Sequence, residues 1–290
     1  MRSKTRKKRT ARMRSNDYRS LLRQGESALE NAGTPDAAFD ARCLLEDCAG
    51  LDRTHLVLAY GETPTETVRQ AYLDRIARRA SGEPLQYILG EWTFCGNRFR
   101  VREGVLIPRP ETEFLCEKAV SLLPENAVLY DVCAGTGCIG LSVALRRPDV
   151  QVFLFEKYDI PFACLRENII VHSAQNAHAV LCDMLQDVPH GLPRADGIVS
   201  NPPYIPASEL PTLPAEVRRE PREALDGGAD GLTFYRALRN KWFPLLADGG
   251  FLLMECGEGQ SPEISALFPC AQTEPDYLGT QRFVTVFRKD

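Results

Sequence analysis

From residue 104 onward, short apolar runs alternate with helical patterns, and this alternation constrains the fold more than any other feature of the sequence. Strands are expected at 128–132, at 152–155 ending on Glu156, at 179–181, at 197–200 and at 251–255. Helices are expected from 113 to about 122, over 140–146, 161–171, 231–246 and 262–268. Strand and helix in strict turn give a parallel sheet covered by helices on both faces, an α/β domain. The β-rich run 282–287 is expected to close an edge of that sheet. In such folds, ligands bind in loops at the carboxyl ends of the strands.

The region before residue 104 reads differently. Residues 1–15 hold eight Lys/Arg and no acid, a tail expected to be disordered. Residues 16–82 predict a small helical domain. Asn16 or Asp17 caps a first helix carrying Leu21, Leu22, Ala28 and Leu29. Pro35-Asp36 opens a second, with Phe39, Cys43, Leu44 and Cys48 on its apolar side. Asp52 caps a short third, and Thr63-Pro64 starts a fourth with Val68, Tyr72 and Ile76 at helical spacing. No polar constellation stands out there, so a bundle for packing or partner docking is expected. Residues 83–103 form a linker: a bend over 83–90, then a β-hairpin in which Trp92 and Phe94 alternate, Gly96-Asn97 turns, and Phe99 and Val101 return. The α/β domain is then 104–290.

Composition excludes several classes. No apolar run approaches the ~20 residues of a membrane span, and no apolar stretch follows the basic start as in a signal peptide. Ten cysteines occur without a C-x-x-C pair or a Cys/His cluster of zinc-finger spacing, so a reducing cytoplasm, no disulfide framework and no metal are expected. The net charge is −4, and removing the tail's +8 leaves −12 on the body. An acidic body argues against a large nucleic-acid surface, leaving the basic tail as the one place for such contact.

The sharpest motif is Asn201-Pro202-Pro203-Tyr204, which follows the strand at 197–200. Neither proline can donate to a ladder, so the chain must leave the sheet there. Asn201 offers one acceptor and a two-donor nitrogen. The proline carbonyls are left without sheet partners, and Tyr204 adds a flat face. The motif suits a planar ligand bearing an NH2 group, although a plain strand-to-loop turn has the same spelling.

Asp131-Val132-Cys133-Ala134-Gly135-Thr136-Gly137 follows the first strand of the α/β region and opens a helix. Gly135 and Gly137 let the backbone approach a ligand. The run is not a full G-x-G-x-x-G and no P-loop lysine follows, so phosphate is not favoured. Asp131 attracts a cation instead, and Glu156 at the next strand end suits ribose hydroxyls. Together they point to a nucleoside with a cationic tail, S-adenosylmethionine, with S-adenosylhomocysteine as product. Asp183, after the third strand, suits an adenine amino group, and Met184 suits the ring face.

In order, these motifs are those of class I, Rossmann-like methyltransferases acting on planar NH2 groups. Five flanking blocks narrow the resemblance: Glu83 to Gly90 (EPLQYILG), Leu106 to Glu113 (LIPRPETE), Ser200 to Ile205 (SNPPYI), Glu220-Pro221, and Gly227 to Leu232 (GGADGL). Over about residues 16–290 the chain resembles the release-factor glutamine methyltransferases, the PrmC/HemK family. The resemblance implies N5-methylation of the glutamine in the Gly-Gly-Gln loop of peptide chain release factors. It implies that Cys133, Ala134, Gly135, Thr136, Gly137, Glu156, Asp183, Met184 and Asn201 line the cofactor site. Asn201, Pro202, Pro203 and Tyr204 would hold the glutamine, and the helical domain would help dock the release factor. Two positions depart from the family pattern: Cys133-Ala134 stands where glycine or a small residue is usual, and Glu156 where Asp is usual.

A carboxamide nitrogen is a poor nucleophile because its lone pair is delocalised. The expected catalytic residues are therefore acceptors and a platform (Asn201, Pro202 and Tyr204) rather than a base, and His55, His172, His178 and His190 match no catalytic pattern. Two other readings use the same motifs: an adenine-N6 or cytosine-N4 nucleic-acid methyltransferase, and a catalytically silent S-adenosylmethionine-binding module.

Overall fold

A computed structural model describes residues 16–289 except Asp187 and Pro189. The basic tail expected at 1–15 lies outside the described residues. The chain divides into two compact units with the boundary between Leu89 and Gly90.

The first unit is helical: α1 (Tyr18–Asn31), α2 (Ala37–Ala49), α3 (Arg53–Leu58), α4 (Glu66–Ala80) and α5 (Leu85–Leu89). Asp17, Asp52 and Thr65 cap α1, α3 and α4, each side chain accepting a backbone N–H of the first turn. The fourth helix thus starts on Thr65 rather than Thr63-Pro64. In α2 the buried face is Ala37, Asp40, Ala41, Leu44 and Leu45, while Phe39 is exposed and Cys43 and Cys48 are half-buried. The expected apolar stripe was displaced because Asp40 is inside. Its carboxylate accepts from Arg79 Nε at 2.6 Å, and both side chains are buried. A lone Asp and a lone Arg 39 positions apart give no signal in the sequence. The bend expected at 83–90 is helix α5, because Pro84 sits before its first turn, where a missing N–H costs nothing.

The second unit opens with the hairpin β1 (Glu91–Phe94) and β2 (Asn97–Arg100), so the expected linker strands belong to this unit. Its turn is Cys95-Gly96, both at positive φ (48° and 75°), with Asn97 already paired to Phe94. Two left-handed residues suit the twist of a two-residue hairpin loop. After α6 (Glu113–Leu122) come β3 (Val128–Val132), α7 (Cys138–Arg146), β4 (Gln151–Glu156), α8 (Asp159–Val171), β5 (Ala177–Leu181), β6 (Ala195–Ser200), α9 (Thr233–Ala237), β7 (Leu246–Glu255), α10 (Ser261–Leu267), β8 (Gln272–Pro275) and β9 (Gln281–Phe287).

Among the described residues the sheet has seven strands in the order β5-β4-β3-β6-β7-β9-β8. The first five are parallel, and β9 runs antiparallel to both its neighbours, β7 and β8. The C-terminal strand therefore lies inside the sheet, and β8, which the sequence reading missed, forms the edge. Both faces are apolar. Leu115, Leu141 and Leu165 pack against one, and Tyr235, Trp242 and Ile264 against the other.

The long helix expected over 231–246 is a composite. After α9 the chain widens into a π turn at Leu238–Trp242 and tightens into a 3-10 turn at Phe243–Leu245. Pro244 cannot continue an α-helical ladder. The wide turn seats Trp242 fully inside, with its ring 4.8 Å from Phe155 and its indole N–H donating to the Met184 carbonyl.

Candidate active site

The chain order turns back at β3, which has β4 on one side and β6 on the other. Loops leaving neighbouring strands in opposite directions open a crevice at this point. A cavity of about 960 Å³, counted to its open mouth, occupies the crevice. It is lined by the loop after β3 (Cys133 to Thr136), by Glu156 at the end of β4, by Asp183 and Met184 after β5, and by Asn201 and Pro203 after β6. Residues named at four separate places in the sequence share one cavity.

The turn after β3 is shaped by backbone geometry. Gly135 has φ +56° and a Cβ there would meet open space, so its freedom is conformational. Gly137, at φ +79°, is different: a Cβ would come within 2.3 Å of Leu165 Cδ1. Cys133 also takes a left-handed conformation, φ +67°, which glycine adopts without the 1–2 kcal/mol penalty typical of other residues. Its half-buried side chain packs against the core at the edge of the cavity that it lines. Asn168, fully buried on α8, holds this turn by donating to the Thr136 carbonyl at 2.9 Å. It also accepts the Arg100 N–H at 2.7 Å, and no sequence pattern marked it.

Asp131 does not line the cavity. It is wholly buried beneath the turn, with Oδ2 accepting the Gly140 N–H at 2.8 Å and Oδ1 without a partner among the described residues. Burial pushes its carboxyl up to about 7 against the pull of the Gly140 bond, and the nearby Glu156 adds to the rise. Glu156 accepts three backbone N–H groups: Gly135 at 2.9 Å, Lys157 at 2.7 Å and Tyr158 at 2.9 Å. Its longer side chain is what spans from β4 to the glycine turn. Burial raises its pKa and these three bonds oppose the rise. Asp183 accepts Leu185 N–H at 3.0 Å and pairs with Lys157 at 3.0 Å at the cavity wall. Gly137 lies behind the lining, at the start of α7.

The Asn-Pro-Pro-Tyr loop is held from behind. Ser200 Oγ donates to the Val132 carbonyl at 2.6 Å, pinning the end of β6 to β3. Gln260 Nε2 donates to the Tyr204 carbonyl at 2.8 Å. Gly227 and Gly231 press on the same segment, where a Cβ would come within 2.8 Å of Tyr204 Cα and 2.4 Å of its carbonyl oxygen. That contact explains why the Gly-Gly-Ala-Asp-Gly run accompanies the motif. Pro202 is buried and Tyr204 half-buried, and neither lines the main cavity. Among the described residues no donor takes the Pro202 carbonyl. Burial pushes the Tyr204 hydroxyl up to about 12, so it stays neutral.

Two polar residues at this site were missed. Asn201 Nδ2 donates to Thr112 Oγ1 at 3.1 Å, and that hydroxyl donates to Glu255 Oε2 at 2.6 Å. Thr112 lies within the Leu106 to Glu113 block, and Glu255 ends an apolar strand as Glu156 does. That shared placement was the available signal. Glu220 is buried and accepts from Arg109 and from the Ile107 N–H at 3.0 Å, tying the 107–112 segment to the 220 loop. None of the four histidines lines the cavity.

The chain is similar to known proteins along most of its length. The PrmC N-terminal domain matches residues 20–90, and the methyltransferase small domain matches residues 111–227. The release factor glutamine methyltransferase of Geobacter sulfurreducens is 39% identical over 251 residues, 86% of this chain and 87% of that one. The enzyme of that name from Neisseria gonorrhoeae is 38% identical over 252 residues, 84% and 91% of the two chains. Among solved structures, the hMettl16 catalytic domain in complex with MAT2A 3'UTR hairpin 6 has a TM-score of 0.55 at 14% identity. It covers 75% of this chain and 83% of that one, and it supports the Rossmann-like class I methyltransferase fold alone. With relatives this similar along most of its length, the chain belongs to the release factor glutamine methyltransferase family.

Proposed function

We propose that this protein transfers a methyl group from S-adenosylmethionine to the side-chain amide nitrogen of the glutamine in the Gly-Gly-Gln loop of a peptide chain release factor. The observation that carries the reading is Asn201, which lines the cavity between the glycine turn and its own Pro-Pro-Tyr loop, its carboxamide oxygen unclaimed among the described residues.

The cavity suits the methyl donor. Phe155, Met184 and Phe234 give apolar walls for a flat ring, Glu156 at the end of β4 would meet the ribose hydroxyls, and Asp131 Oδ1, without a partner among the described residues, lies under the turn that would face a cationic tail. When bound, S-adenosylmethionine supplies an electrophilic methyl group on a positively charged sulfur. The chain's own residues do the rest. The Asn201 oxygen and the Pro202 carbonyl accept the two N–H bonds of the glutamine amide, orienting its nitrogen. As positive charge grows on that nitrogen, both acceptors stabilise it more strongly than they bind the resting amide. Tyr204, neutral and half-buried, packs along the amide plane. The released proton passes to water, so no side chain is assigned as base. The first unit docks the body of the release factor, and the protein works in the cytoplasm without a metal.

Asn201→Ala removes one acceptor and should lower kcat about 100- to 1,000-fold, the usual effect of deleting one such group. Cofactor affinity by calorimetry should stay within a few-fold of the parent. Near-normal turnover in this variant would remove the amide clamp from the account.

A further inference from the structure

Asn201 works as a clamp only if its carboxamide points the right way, because turning it over presents an NH2 group to the NH2 group of the substrate. We propose that Thr112 and Glu255 are positioning residues that fix this polarity, a relay that rests on the proposed glutamine clamp. The logic is one of counting protons. A threonine hydroxyl has a single proton to donate. Thr112 gives it to the buried Glu255 carboxylate at 2.6 Å. Its oxygen can then only accept, so the facing group must be Asn201 Nδ2, which sits 3.1 Å away. The Asn201 oxygen is thereby left toward the cavity. The three residues come from three separate segments, the 110–112 turn, the end of β6 and the end of β7, and Thr112 and Glu255 are both almost fully inside.

The relay reverses if Glu255 takes up a proton. A protonated carboxyl can donate to Thr112, whose own proton then turns to Asn201 and draws the amide oxygen away from the cavity. The groups around Glu255 set where this happens. Thr112, Arg109 and Glu111 face it from the 109–112 segment, Arg282 from β9 and Tyr204 from the loop after β6. Cys256 follows it in sequence, and Tyr235 of α9 donates to its main-chain carbonyl at 2.8 Å. Burial raises the carboxyl to about 7, Thr112 and Arg282 hold it down, Glu111 pushes it up and Arg109 opposes. Glu255 therefore ionises, and the amide is held in its working sense, as pH rises through neutrality.

The test uses the full-length protein with a release factor and labelled S-adenosylmethionine, together with 15N NMR of the Asn201 side-chain amide. Thr112→Val should lower kcat about 10- to 100-fold, the scale of a misoriented reacting group, with cofactor affinity unchanged. Thr112→Ser, which keeps the hydroxyl, should restore it to within about threefold. The parent's kcat should rise between pH 6 and 8, and Glu255→Gln should flatten that rise. The Asn201 amide resonance should move with pH in the parent and stand still in Glu255→Gln. A Thr112→Ser variant as impaired as Thr112→Val would overturn the relay, as would a Glu255→Gln variant that keeps the parent's pH rise. A pH-dependent Asn201 resonance in a parent that labels no release factor would keep the relay and discard the clamp's substrate. Labelling with an Asn201 resonance indifferent to both Thr112→Val and pH would do the reverse.

Discussion

Gly140 lies inside α7, where alanine should improve helix stability by about 1 kcal/mol. The structure predicts the opposite. A Cβ at Gly140 would lie 2.8 Å from Leu154 Cδ2, 2.9 Å from Asp131 Oδ2 and 3.0 Å from Asp131 Cβ. Leu154 and Asp131 are both fully buried on neighbouring strands, so neither can swing aside into solvent. Overpacking of this kind costs about 1–3 kcal/mol. Moving Asp131 also stretches its bond from the Gly140 N–H, now 2.8 Å, at a further cost of about 1–3 kcal/mol for a buried polar group left short of its partner. Steric and polar terms outweigh propensity, and Gly140→Ala should destabilise the second unit by about 2–4 kcal/mol. At about 2–4 °C per kcal/mol for a unit of this size, Tm should fall by roughly 5–15 °C. Tryptophan emission is a selective probe, because both tryptophans, Trp92 and Trp242, belong to the second unit. An unchanged or raised Tm in Gly140→Ala would mean that α7 does not press on β3 and β4 as described, and the placing of Asp131 under the turn would fall with it.

Other outcomes follow from the same reasoning. Asp40→Ala takes the carboxylate from the buried Arg79 guanidinium, and about 3 kcal/mol of local stability should go with it. Amide exchange in α2 and α4 should then speed up on the order of a hundredfold, and unchanged protection there would contradict the importance of the pair. Burial raises the Asp131 carboxyl from 3.8 to about 7, so the folded state holds more protons than the unfolded chain between those values. Stability contributed by this group is therefore lost as pH rises through that window, by up to about 1.4 kcal/mol per pH unit. Asp131→Asn removes the titration, and its stability relative to the parent should climb from pH 5 to pH 7 and then level off. A difference that stays flat with pH would show Asp131 to be ionised and well solvated.

What the sequence disclosed depended on how local each cause is. The strands β3, β4 and β6 were legible because their apolar runs are bounded by Asp, Glu and Pro within a few residues. The helix caps on Asp17 and Asp52 were legible for the same reason, since a cap and its N–H lie three positions apart. The composite helix before β7 was not, because a π turn reflects where Trp242 must pack rather than any periodicity. Strand β8 is four residues of mixed polarity and is defined by pairing with β9. At the site, those expected residues that do line the cavity, Cys133 to Thr136, Glu156, Asp183, Met184, Asn201 and Pro203, came from motifs of contiguous spelling or from a strand end, whereas Phe155 and Phe234 line it without such a mark. Asp131 shares its motif but is turned inward, because alternation along β3 sends it under α7 rather than into the crevice. Thr112 and Glu255 are joined across 143 positions, and a bond of that span leaves no local trace.

The central claim concerns the acceptor atom. The full-length protein would be incubated with labelled S-adenosylmethionine and a release factor, either intact or with the glutamine of its Gly-Gly-Gln loop changed to alanine, and with DNA as a parallel substrate. One methyl group on the glutamine side chain of the intact factor, located by peptide mass spectrometry, is the predicted result. Label retained by the alanine variant, or label appearing on DNA, would contradict it.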